Sequence, residues 1–151
     1  MAEQYKHTQI GYLTLAMLGA ATLLMVVLVV AAGFHWIPLV VLVVLAVGLP
    51  LFATLSVEVH EGSVRIWFGP GVIRKRFQVQ DIVACQVVRN PWYYGWGIRL
   101  TPHGWLYNVS GYSAVELQMK SGKRYRIGTD KPEQLQKAVE RVLEEQRSDP
   151  A

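Results

Sequence analysis

Between Ile10 and Leu55 the chain carries no Asp, Glu, Lys or Arg, and only Gly33-Phe34-His35-Trp36 interrupts the apolar text, dividing it into runs 10–32 and 37–55. Each run is close to the roughly 20 apolar residues, at about 1.5 Å per residue, that a helix needs to cross a bilayer core of about 30 Å. The short connection builds no domain on the far side. The two helices are therefore expected as antiparallel neighbours, a transmembrane hairpin with both chain ends on one face. The expected organisation is a tail over residues 1–9, the hairpin over 10–55 and one small domain over 56–151.

Charge gives the orientation. Of the fifteen Lys and Arg, only Lys6 precedes the hairpin; the rest follow Leu55 and the short connection has none. By the positive-inside rule both termini of this multi-pass protein are expected in the cytoplasm. A rival reading makes the first run a secretory signal, with Lys6 as its charged start and Ala31-Ala32-Gly33 as its cleavage site. That run exceeds the 7 to 15 residues of a signal core and a second apolar run follows at once, so the hairpin is preferred. The lone cysteine, Cys85, forms no internal disulfide and fits a reducing compartment. Its neighbours Val83 and Val87 suggest a small core residue.

The polar tail before Ile10 offers Tyr5 and Lys6 to the membrane interface, joined by Tyr12 at the head of the first run. Ala16 and Ala20 would let another helix approach closely, and the second helix of the same hairpin is the expected neighbour, a separate partner the other. Pro50 lies inside the second run and predicts a kink near residues 47–50. Strand-like alternation begins at Ser56 with no linker, so the domain is expected to sit against the membrane.

From Val57 onward the pattern has period two and is punctuated by glycine turns, the mark of an antiparallel sheet protein. Strands are expected over 57–60, 63–68, 73–79, 82–89, 98–101, 105–109, 114–120 and 123–128. In the third of these Lys75 breaks the alternation of Ile73, Phe77 and Val79 against Arg74, Arg76 and Gln78. After Gly128, Asp130 with Glu133 predicts a reciprocal N-terminal cap, and Leu135, Ala138, Val139, Val142 and Leu143 recur at helical spacing. One amphipathic helix should close one end of the sheet structure.

This order of elements, together with Gly95-Trp96-Gly97-Ile98-Arg99, Gly104-Trp105-Leu106-Tyr107-Asn108-Val109-Ser110-Gly111, Ala114-Val115-Glu116-Leu117 and Arg126-Ile127-Gly128-Thr129-Asp130 with Pro132, resembles bacterial membrane proteins carrying a pleckstrin-homology-like domain. The resemblance covers about residues 57–145. It implies a mainly-β barrel of about seven antiparallel strands capped by one C-terminal helix, behind a two-helix transmembrane hairpin. It implies no reaction.

Enzyme templates find no purchase. His7, His35, His60 and His103 fall in four different settings, without an i, i+4 pair or a Cys partner, so no metal is expected. No phosphate-cradling glycine loop and no nucleophile elbow occurs, and no cofactor or catalytic residue is assigned. The net charge of +4 is modest and the anchored geometry restricts access, which argues against nucleic acid.

Two surfaces remain. Arg74-Lys75-Arg76 starts a strand near a cytoplasmic leaflet that is usually anionic, where each cation contributes about 1 kcal/mol toward headgroups; the alternative is an exposed strand whose edge lysine discourages sheet pairing. The first hairpin turn, Glu61-Gly62, is acidic, unlike the ligand turn of lipid-binding pleckstrin-homology domains. The loop holding Trp92, Tyr93, Tyr94 and Trp96 either dips into the membrane interface, meets a protein partner or folds part of its rings into the core. If 73–79 and 82–89 are two strands with a reversal between them, the loop returns to the membrane end. The resulting expectation is a non-catalytic membrane protein whose domain binds or scaffolds a partner, another membrane protein or its own copies, while anionic lipid orients it. The alternative is an accessory or assembly subunit of a membrane enzyme or transporter.

Overall fold

The computed structural model describes residues 5–149; the first four residues of the expected tail and the last two of the chain lie outside the described residues. Strand β1 (Tyr5–Ile10) leads into helices α1 (Tyr12–Ala32) and α2 (Trp36–Leu51). Eight strands follow, β2 (Thr54–His60), β3 (Ser63–Phe68), β4 (Ile73–Gln78), β5 (Ile82–Arg89), β6 (Gly97–Thr101), β7 (Gly104–Asn108), β8 (Ser113–Met119) and β9 (Arg124–Gly128). Helix α3 (Pro132–Ser148) ends the described chain. The architecture is thus a helical hairpin, a mainly-β domain of two sheets and one C-terminal helix.

The hairpin packs through residues at helical spacing. Leu18, Thr22, Met25 and Val29 of α1 are half-buried, as are Pro38, Leu42, Leu45 and Leu49 of α2. At 21 residues α1 reaches about 31 Å and is the one helix among the described residues both long and apolar enough to cross a membrane. Helix α2 has only 16 residues, about 24 Å. The second apolar run is therefore divided: helix stops at Leu51, Pro50 standing in its last turn, and Leu55 is a core residue of β2, 1% exposed.

Residues 5–9, expected as part of the tail, and Ile10, expected as the first residue of the hairpin, are instead the edge strand of sheet A, order β1-β2-β3-β4. Tyr5 pairs with Val59 and Ile10 with Thr54. His7 Nε2 stands 2.5 Å from Asp130 Oδ1, tying β1 to the start of α3. That contact takes Asp130 away from the expected cap; Lys131 holds the cap position of α3 without a side-chain bond, and Thr129 Oγ1 accepts the Lys131 N–H.

Sheet B has the order β5-β8-β9-β7-β6, and β7 runs parallel to β9, with Trp105 opposite Tyr125 and Tyr107 opposite Ile127. The expected closed, all-antiparallel barrel of about seven strands is not formed. Among the described residues nine strands make two separate sheets, and β4 and β5 are split by a tight turn at Val79–Asp81 that sends the chain from one sheet to the other. The inner faces enclose the core, in which Val59, Val64, Val79, Val109, Val115, Leu117 and Ile127 are fully buried, and α3 covers it with Leu135, Val139, Val142 and Leu143. The apolar stripe of α3 is where its spacing puts it.

Candidate functional site

The site-bearing end of the domain is where the hairpin meets the sheets. The Gly11 amide donates to the Ala53 carbonyl at 2.7 Å, so the chain enters and leaves the hairpin at one point. The Thr14 hydroxyl donates to the Val109 carbonyl at 2.5 Å and Gln9 Nε2 to the Ser110 carbonyl at 3.1 Å, joining α1 and β1 to the turn after β7. Gly69, at φ 51° in the turn before β4, lies so close under the Pro50 and Leu51 carbonyls that a Cβ would collide with them. Both stems of the hairpin are thus seated on the domain without slack.

The aromatic loop is rooted at this same end through Asn90 and Trp96, and from there it reaches along the sheet toward the β6–β7 turn. Its members divide in two. Trp92 and Tyr93 are exposed, 73% and 67%, and meet edge to face. Trp96 is anchored: its indole N–H donates to the Gly111 carbonyl at 3.1 Å and its ring leans on Tyr112. Tyr94 packs toward His103. A groove of about 570 Å³ joins Trp96, Ile98 and Arg99 to Met17 and Leu18 in the first two turns of α1, with Phe52 beside them. Trp105 lies on the inner face of sheet B but is 42% exposed, because the sheets stand apart there.

The three expected headgroup cations do not act as one cluster. Cross-strand register puts Arg76 beside Arg65, then Glu58 and Lys6, and Arg74 beside Trp67, all on the outer face of sheet A. Lys6 approaches the Trp67 ring at 5.6 Å. Lys6 and Arg65 belong to this basic face although their separation in sequence hides it. Lys75 is on the opposite face, with Ile73 and Phe77, which accounts for the broken alternation. Its ammonium lies 5.8 Å from the Tyr125 ring centroid, over the gap between the sheets.

A charged pair that sequence reasoning passed over is buried on the outer face of sheet B. Glu116 and Arg126 are cross-strand partners, 4% and 7% exposed, joined at 2.8 Å, and Arg126 Nη1 donates to Asn90 Oδ1 at 2.9 Å at the base of the aromatic loop. Both guanidinium contacts are satisfied, which suits a structural strut.

Cys85 is half-buried with its Sγ 3.9 Å from the Gln136 carbonyl; burial, then the Glu140 carboxylate, pushes its pKa up to about 11. Burial also raises the Tyr5 and Tyr107 hydroxyls, Asp130 adding to the first and Tyr125 to the second. Ala16 and Ala20, expected against α2, are both exposed and lie on the side of α1 away from the Leu18–Val29 seam. Among the described residues no three His, Cys, Asp or Glu side chains gather as a metal site. In comparisons with known proteins, no family model and no curated protein matches this chain.

Proposed function

We propose that the chain is a membrane-anchored, non-catalytic binding module: the hairpin crosses a bacterial inner membrane, both ends stay in the cytoplasm, and the domain presents a protein-binding surface held at the bilayer. The observation that carries this reading is the seating of both hairpin stems on the domain, Thr14 on Val109 and the Pro50 and Leu51 carbonyls over Gly69, which leaves the domain no freedom to swing away from the membrane. The shorter α2 is accommodated by thinning of the bilayer or by drawing Phe52 and Ala53 into the headgroup layer. Trp92 and Tyr93 then lie in the interfacial zone that aromatic rings favour. The partner-facing surface is the basic outer face of sheet A, where Lys6, Arg65, Arg74 and Arg76 flank Trp67 and, among the described residues, Glu58 alone opposes them. Arginine and tryptophan are the residue types on which contact energy concentrates. What the pleckstrin-homology-like resemblance contributes is the order of strands and capping helix, and it brings no reaction.

The test is purification in mild detergent from native membranes with mass spectrometry of co-eluting chains. A partner at fixed stoichiometry that is lost with Arg65→Glu and Arg76→Glu supports the reading; recovery of the chain alone as a monomer overturns it. The exposed Ala16 and Ala20 favour a second reading, an accessory subunit whose α1 packs into a larger helical bundle. That reading requires the partner to be lost with Ala16→Leu and Ala20→Leu and kept in the arginine variant.

A further inference from the structure

The two sheets stand apart along one side, leaving a cleft of about 420 Å³ between β3 and β4 on one wall and β6, β7 and β9 on the other. This volume is within the roughly 300–1,000 Å³ of small-molecule pockets. The cleft has two chemically different ends. Phe68, Ile73, Ile98 and Tyr107 form the end next to the hairpin: Phe68 pairs with Leu55 just past α2, and Tyr107 lies two residues before the Val109 carbonyl that holds Thr14. Two strand residues farther out, about 7 Å, is Lys75, and Lys123 lines the same cleft from the β8–β9 turn at the distal end. Arg74 stands at the rim. No carboxylate comes within ion-pair distance of Arg74, Lys75 or Lys123 among the described residues.

The apolar end continues toward the bilayer. Ile98 lines both this cleft and the groove beside Met17 and Leu18, and the Phe52 ring, which lines that groove, meets Phe68 edge-on at 5.5 Å. An apolar path therefore runs from the side of α1 past Ile98 to a pocket whose far end holds cations with no carboxylate partner among the described residues. A small soluble anion would use the cations and leave the path idle; a neutral lipid would do the reverse.

We propose that the cleft holds one anionic glycerophospholipid drawn partly out of the bilayer, its phosphate at the Lys75 and Lys123 end and its chains passing Ile98 to lie against Met17 and Leu18. This rests on the membrane reading above and adds to it a lipid site on the inner faces of the sheets, separate from the basic outer face. A lipid seated there would fill the gap that keeps the sheets from closing.

Full-length protein in non-ionic detergent is titrated with dioleoyl phosphatidylglycerol or dioleoyl phosphatidylcholine, and bound lipid is counted by native mass spectrometry. One phosphatidylglycerol per chain is expected, with phosphatidylcholine at least about tenfold weaker, a difference of about 1.4 kcal/mol. Lys75→Glu with Lys123→Glu lowers phosphatidylglycerol binding by about tenfold or more, and the milder glutamine pair lowers it in the same direction while circular dichroism stays unchanged. Ile98→Trp, which narrows the path without altering charge, also lowers it. Arg65→Glu with Arg76→Glu leaves it unaltered. Equal losses in both charge-reversal pairs, indifference to Ile98→Trp, or inorganic phosphate competing as well as the lipid each overturn the assignment. Partition of the chain into the membrane fraction is scored separately. Membrane-bound protein that takes no lipid overturns the cleft assignment alone, whereas protein recovered without detergent overturns the membrane reading with it.

Discussion

Gly11 and Ala53 are joined backbone to backbone at 2.7 Å, N–H to carbonyl, at the mouth of the hairpin, and Val109 closes over the pair. A Cβ on Gly11 would come 2.9 Å from Val109 Cβ and 3.2 Å from the Ala53 carbonyl oxygen. Gly11→Ala is expected to cost about 1–3 kcal/mol by overpacking and lower the melting temperature of the detergent-solubilised protein by roughly 5 °C. Gly19→Ala, with nothing within 4 Å of the new methyl, is expected to leave it unchanged. Differential scanning fluorimetry of both variants checks the contrast.

Removing one half of the Glu116–Arg126 pair strands the other charge in a buried position. Glu116→Ala is expected to lose about 3–5 kcal/mol, whereas Glu116→Leu combined with Arg126→Met recovers most of that stability. Urea unfolding of the three proteins measures both effects, and a loss of less than about 1 kcal/mol in the single variant would contradict the burial of the pair.

Cys85 has its thiol pKa raised to about 11, so the protonated form persists in the folded chain where an unfolded chain has already lost the proton. The unfolded state then binds fewer protons between about pH 9 and 11, and stability falls as pH rises through that window. Labelling by iodoacetamide is expected to be slow at pH 7.5 and to climb about tenfold per pH unit until it levels near pH 11. A fast reaction at neutral pH would mean an accessible thiolate.

The aromatic loop is expected to separate into anchor and probe. Trp96→Ala removes the indole bond to Gly111 and the contact with Tyr112, a loss of about 2 kcal/mol that shows as a melting shift of about 5 °C. Trp92→Ser with Tyr93→Ser leaves the melting temperature where it was. In vesicles with brominated acyl chains, the same double variant is expected to reduce quenching of the intrinsic tryptophan fluorescence.

Period and punctuation carried most of the strand positions and the α3 stripe, because those signals are local. What depends on distance along the chain was not legible. Residues 5–9 read as a tail, and Ile10 as the start of the hairpin, since their partner, β2, lies beyond both helices. The parallel pairing of β7 with β9 leaves no mark in either strand, and an apolar run does not announce that its last residues, such as Leu55, belong to a sheet core. Arg74-Lys75-Arg76 was visible as three cations; period two implied their division between two faces, but Lys6 and Arg65 join the outer face only through cross-strand register. The Glu116–Arg126 strut was hidden for the same reason, two ordinary surface residue types meeting across β8 and β9.

The placement of β1 ahead of the hairpin and β2 behind it makes sheet A a record of events in time. During synthesis β1 emerges first and waits, unpaired, until both helices and β2 have followed; the pairing closes a loop of several tens of residues, an entropy cost that grows only slowly with loop length. On the membrane reading, a chain that inserted a single helix would strand β1 and β2 in different compartments. On that same reading, completion of the sheet edge would act as proofreading of topology: only a correctly threaded hairpin would let the domain finish folding, and a misthreaded one would leave β2 open to proteolysis.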